Sequence, residues 1–223
     1  MIVSVHIPKT AGTSLGRALQ DRFEDRFLED YGDRPLADEP EDEVRRVASK
    51  REVVAFGDDL ISRYDVVHGH FIADKYVTLP DTPVFCVILR DPAERAASHY
   101  RQWRDLPNPA NSMVRRLMHE GLDLAAFCAL PRMAKIYRLF LGTIPLERFD
   151  IVGLTEAYED TLKLFEAVTG VGLAERVDNV AGHRPRIGPE ERAALELAQP
   201  DNVAFYDAGR RRFEDLCRQY GVV

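Results

Sequence analysis

The chain is predicted to fold as a single α/β domain, a parallel sheet with helices on both faces. Three observations predict it. Short apolar, β-branched runs (IVSVHI, DVVHGHF, TPVFCVIL, FDIVGL) alternate along the chain with amphipathic helix-period segments, the order from which parallel sheets are built. At 223 residues, 45% hydrophobic and 30% charged, the chain can bury one sizeable core. No repeat, low-complexity tract or linker-like stretch divides it.

The elements follow in order. IVSVHI reads as a buried strand, PKTAGTS as a turn, and SLGRALQDRF as a helix with Thr13 or Ser14 as N-cap. Residues 29–43 (EDYGDRPLADEPEDE) read as a polar loop, and a charged helix is expected over 42–50. DVVHGHF, 65–71, reads as a second strand that runs out at its histidines; TPVFCVIL, 82–89, is the clearest buried strand. RDPAERAASHYRQWRD turns from that strand into a helix, with Pro92 in the first turn, where its missing N–H costs nothing. Residues 108–142 predict two or three short helices broken near Gly121 and Pro131. FDIVGL is a further strand, followed by a helix ending at Gly170 and by two closing helices, PEERAALELA and Asn202 to Tyr220.

Composition excludes several classes. The net charge of −7 argues against a general nucleic-acid binder, which is basic. No stretch approaches the ~20 apolar residues of a membrane span, and MIVSVHIPKT lacks the basic region and cleavage site of a signal peptide. Three scattered cysteines, Cys86, Cys128 and Cys217, predict neither a disulfide framework nor a zinc cluster and suit a reducing cytoplasm. The charge is uneven: residues 21–59 hold fourteen acids against seven Lys or Arg, whereas 90–116 hold six Arg against three acids. A locally basic middle beside an acidic flap suits a compact anionic ligand.

Two segments carry chemistry. His6-Ile7-Pro8-Lys9-Thr10-Ala11-Gly12-Thr13-Ser14 joins a strand to a helix. Small residues there present backbone N–H groups to an anion, with Lys9 as a point charge and the hydroxyls of Thr10, Thr13 and Ser14 as donors. Lys9 precedes the glycine, unlike the order of nucleotide kinases, and no G-x-G-x-x-G is present. The second segment, Arg90 to Tyr100, puts Arg90 at a strand's carboxyl end and Ser98 two helical turns on. Such a pair can share a second phosphate.

HIPKTAGTS and LRDPAERAASHY resemble the two phosphosulfate-binding elements of the sulfotransferase superfamily, in the carbohydrate-type branch that includes heparan sulfate 2-O-sulfotransferases. The likeness continues in HGHF (68–71), VGLTEAYEDTLKLFE (152–166), Asn179-Val180 and AFYDAGRRRFEDL. The resemblance implies a P-loop-like α/β fold and 3′-phosphoadenosine 5′-phosphosulfate (PAPS) as donor, with no metal. It implies that Lys9, Thr10, Ala11, Gly12, Thr13 and Ser14 hold the 5′-phosphosulfate and that Arg90 and Ser98 hold the 3′-phosphate. Residues Asn179 to Arg186 would close over the nucleotide, with Arg184 or Arg186 as the cation. The chain departs from the family at Ala181, where serine is common, in lacking the membrane anchor of Golgi members, and in the pattern of 108–142, which leaves the acceptor open beyond a hydroxyl of a carbohydrate or glycoconjugate.

Sulfuryl transfer resembles phosphoryl transfer, with a loose in-line transition state and charge growing on the bridging oxygen. Lys9 is the residue expected to stabilise that charge. In the resembled family the second histidine of His-Gly-His takes the acceptor's proton, which implies His70 as base with His68 contributing. In an extended segment both imidazoles point to one side, while Gly69 leaves room for close approach. The alternatives are an ATP-dependent kinase of a small metabolite and a non-catalytic nucleotide- or glycan-binding relative.

Overall fold

The computed structural model describes residues 1–175 and 187–222. Five parallel strands form one sheet: β1 (Ile2–Val5), β2 (Phe27–Asp30), β3 (Val66–Gly69), β4 (Val84–Leu89) and β5 (Ile151–Leu154), in the order β2-β3-β1-β4-β5. Helices flank it: α1 (Gly12–Phe23), α2 (Pro40–Arg63), α3 (Pro92–Asp105), α4 (Ser112–His119), α5 (Leu124–Ala129), α6 (Pro131–Ala134), α7 (Ile136–Leu141), α8 (Tyr158–Thr169), α9 (Pro189–Ala198) and α10 (Pro200–Tyr220). This is the single-domain α/β architecture the strand–helix alternation predicts, and it is consistent with a P-loop-like fold. Among the described residues, no helix is long and apolar enough to cross a membrane.

The strands are short because helices cover them and every residue must be apolar or paired. β1, β3 and β5 are buried along their whole length, and β4 contributes Phe85 to Leu89 to the same core. Burying each such side chain contributes about 1.5–3 kcal/mol. Strand order then decides where a ligand can sit. From β1 the chain crosses towards β3 and β2; from β4 it crosses the other way to β5. The crevice between the carboxyl ends of β1 and β4 is therefore the topological switch point, where open parallel sheets leave room for ligands. Both chemistry-bearing segments start there.

Four local expectations need correction. Residues 29 and 30 belong to β2, not to a loop. FLED is an edge strand that pairs only with β3 and is only partly buried, so it needs no apolar run. The charged helix is longer than 42–50: α2 spans 24 residues and bends at Phe56. Ala11, not Thr13 or Ser14, stands at the N-cap of α1, because a left-handed turn there (φ 63°) places both hydroxyl residues inside the helix. The 108–142 region contains four short helices rather than two or three. By contrast, α3 begins as its sequence implies, with Pro92 in the first turn and the Asp91 carboxylate accepting from the Glu94 N–H at 2.9 Å.

Candidate functional site

The β1–α1 loop is held in an unusual backbone conformation. Lys9 (φ 73°) and Ala11 (φ 63°) are both left-handed without being glycine, a cost of about 1–3 kcal/mol each that persists only where surroundings impose it. The turn aims the first amides of α1, which have no intrahelical acceptor, out of the sheet edge. Together with the helix dipole they favour an anion. Thr13 is exposed and Ser14 buried. Thr10 turns inward instead: its hydroxyl donates to the Ile7 carbonyl at 2.9 Å, bracing the loop from beneath.

His68 and His6 support that loop from beneath. Ser4 and His68 are register partners on β1 and β3, and Ser4 Oγ lies 2.9 Å from His68 Nδ1. His68 Nε2 lies 3.0 Å from the Gly12 carbonyl. A carbonyl only accepts, so Nε2 carries the proton and Nδ1 accepts from Ser4. Burial pushes the His68 pKa down to about 3, so the ring is neutral with both nitrogens engaged. The His6 ring stacks between, 5.1 Å from His68 and 4.4 Å from His70, centre to centre. Its Nδ1 lies 2.8 Å from the Tyr31 hydroxyl. A Cβ on Gly12 would fall 1.8 Å from the His6 ring, and one on Gly16 2.8 Å from the His68 ring. The two glycines let α1 lie directly on the imidazoles.

His70 is different. It shares the face of His68 but emerges beyond α1, half-buried, beside His6, Tyr31 and Phe140. Its Nε2 has no hydrogen-bond partner. Burial lowers its pKa to about 4, so at neutral pH the ring is uncharged. Gly69 leaves room for backbone rather than ligand: a Cβ there would fall 1.7 Å from the Asp30 carbonyl of β2.

The second segment meets the first. Arg90 Nη1 donates to the Lys9 carbonyl at 3.3 Å, and the Tyr137 hydroxyl donates to the Arg90 carbonyl. Asp91 is fixed twice more, its N–H donating to Glu156 at 2.8 Å and its carboxylate pairing with Arg192 of α9 at 2.8 Å. Ser98 is buried in α3. Buried His99 has its pKa driven well down by burial and then by the charges of Arg95, Lys9 and His70.

The structure thus brings Lys9 and Arg90 into contact and lines His70 up with the loop through His6. It separates His68 from His70 in surroundings, since His68 lies beneath α1. Arg184 and Arg186, with the stretch 179–186, lie outside the described residues. Sequence reasoning missed Tyr31, Tyr137 and Arg192, whose relevance arises only from contacts across 25, 47 and 101 residues. Ser4 did carry a signal, as a hydroxyl inside an otherwise apolar strand. A scan against protein-family models and a search of curated proteins return no match for this chain.

Proposed function

We propose that the protein is a sulfotransferase, moving a sulfuryl group from PAPS to a hydroxyl of a carbohydrate or glycoconjugate. The observation that carries this reading is the Arg90–Lys9 contact at the switch point. It makes two cationic elements, far apart in sequence, the walls of one crevice. Their resemblance to the two phosphosulfate-binding elements of sulfotransferases supports treating that crevice as a site for a ligand with two separate anionic groups.

The residues present fit such a donor. The left-handed loop from Lys9 to Ser14 would hold the 5′-phosphosulfate, through backbone amides more than through Thr10, whose proton is already given to Ile7. Arg90 and Ser98 would hold the 3′-phosphate, and the resemblance adds Arg184 or Arg186. When bound, PAPS supplies an activated sulfuryl group on a good leaving oxygen. Lys9 offsets the charge that grows on that oxygen. His70 takes the acceptor's proton, its Nε2 being a ring nitrogen with no hydrogen-bond partner in the fold. His68 is a positioning residue that ties the Gly12 carbonyl, and so the loop, to the sheet. Three free, buried cysteines suit the cytoplasm as the compartment.

Thermal-shift measurement tests the reading. Adenosine 3′,5′-bisphosphate without metal, at 100-fold above Kd, is expected to stabilise by about 2.7 kcal/mol. Transfer of labelled sulfuryl to a panel of carbohydrate acceptors then follows. No shift with the bisphosphate refutes the proposal, and a shift only with ATP plus Mg²⁺ points to the kinase instead.

A further inference from the structure

Arg95 is fully buried in α3, at 0% exposure, and among the described residues no carboxylate pairs with it. Nη1 lies 3.4 Å from His99 Nδ1, a weak contact with a neutral ring. The guanidinium carbon stands 6.0 Å from the centre of the Tyr137 ring. Nε and Nη2 are buried without any hydrogen-bond partner. Burial acts most strongly against its charge; the Tyr137 phenol, which also hydrogen-bonds it, and the Cys128 thiol favour it, and the guanidinium of Arg90 opposes it. The acids of the same helix start are engaged elsewhere: Asp91 and Glu94 both pair with Arg192, at 2.8 and 3.5 Å.

An ionised group buried with only weak neutral partners and two of its nitrogens unsatisfied is among the most costly features a core can hold. Hydrophobic residues of similar shape serve packing better, so the charge calls for a reason outside packing. Its location supplies one. Arg95 is five residues after Arg90 and three before Ser98, on the face of α3 that Ser98 shares. Tyr137 touches both arginines, through its ring on one side and its hydroxyl on the Arg90 carbonyl on the other. The interior beneath the crevice therefore holds positive charge that no carboxylate among the described residues offsets, and an incoming anion would balance it.

We infer that Arg95 is the buried counter-charge for the second phosphate of the bound nucleotide, the group assigned to Arg90 and Ser98, and that its guanidinium is retained for ligand affinity and not for stability. The inference rests on the donor reading above. In the low-dielectric interior its field is weakly screened, so it favours a dianion at the 3′ position over a neutral hydroxyl. Arg95 thereby becomes the element that distinguishes a bisphosphorylated nucleoside from a 5′-monophosphate.

The test compares Arg95→Met, which keeps the length without the charge, with Arg95→Gln and Arg95→Lys. Melting temperature is measured without ligand, and calorimetry gives Kd for adenosine 3′,5′-bisphosphate and for adenosine 5′-monophosphate. Arg95→Met is expected to melt at or above the wild-type temperature while binding the bisphosphate about 10- to 100-fold more weakly, the range for a lost interaction with a charged group. The monophosphate should change less than about 3-fold, because it lacks the phosphate the charge serves. Arg95→Gln should follow Met, and Arg95→Lys should recover most of the affinity. A lower melting temperature with unchanged bisphosphate affinity would make the arginine purely structural and overturn the inference, as would equal weakening of both nucleotides. Wild-type protein that binds neither nucleotide overturns the donor reading itself, and the inference with it.

Discussion

His68 and His70 differ by two positions in sequence and should differ sharply on mutation. Replacing His68 by alanine empties a fully buried ring site between β1, β3 and α1. It removes both of the ring's hydrogen bonds, leaving the Gly12 carbonyl and the Ser4 hydroxyl without their partner. The cavity and the two stranded groups together should cost about 3–5 kcal/mol. For a chain of this size each kcal/mol lowers Tm by about 2–4 °C, so calorimetry should find a drop of at least 6 °C. Binding of adenosine 3′,5′-bisphosphate should weaken as well, because the Gly12 carbonyl anchors the turn whose amides face the ligand. His70→Ala removes a ring whose Nε2 already lacks a partner, so its stability should stay within about 1 kcal/mol of wild type. Its loss should appear in kcat, about 10²–10⁴-fold, with bisphosphate affinity unchanged. If His68→Ala melts with the wild type and loses turnover as His70→Ala does, the strut assigned to His68 is wrong and both rings act in the chemistry.

Gly12→Ala should displace the His6 ring or the start of α1, since its Cβ would lie 1.8 Å from that ring and His68, His70 and Tyr31 box the ring in; a bisphosphate Kd equal to wild type would refute the fit. Arg90→Ala should weaken bisphosphate binding by about 1.5–3 kcal/mol, whereas Lys9→Ala should lose mainly kcat, because its partner charge develops in the transition state. A raised KM for PAPS with intact kcat in Lys9→Ala would contradict that assignment. Acid should destabilise the fold early. His6, His68, His70 and His99 all have folded pKa values below 6.5, so the unfolded chain binds more protons as pH falls through 6.5. Stability from these groups is complete above that point and is lost below it, each contributing up to about 1.4 kcal/mol per pH unit. A urea midpoint that stays flat from pH 7 to 5 would show that these rings are not held neutral.

Much of the fold was legible because its signals are local. A strand covered on both faces must be apolar throughout, so IVSV and VFCVIL declared themselves. Asp91-Pro92 sets a helix start by capping and a fixed φ, whatever lies around it. The β1–α1 loop was likewise legible as a strand-to-helix turn, since its small residues are contiguous. Tertiary structure alone decided the rest. FLED is a strand only because β3 offers an edge to pair with, and backbone pairing leaves no side-chain pattern. The division between His68 and His70 depends on where α1 ends its cover, two residues along β3, and on Ser4 being the register partner of His68. Arg95 reads in sequence as one more charge on a helix. Only packing, which buries it with no carboxylate pairing with it among the described residues while its neighbours Asp91 and Glu94 turn to Arg192, sets it apart. Local conformation is set by each residue's own backbone and neighbours, but protonation, desolvation and partnership are set by whatever the fold brings within a few ångströms, and spacing along the chain does not encode that.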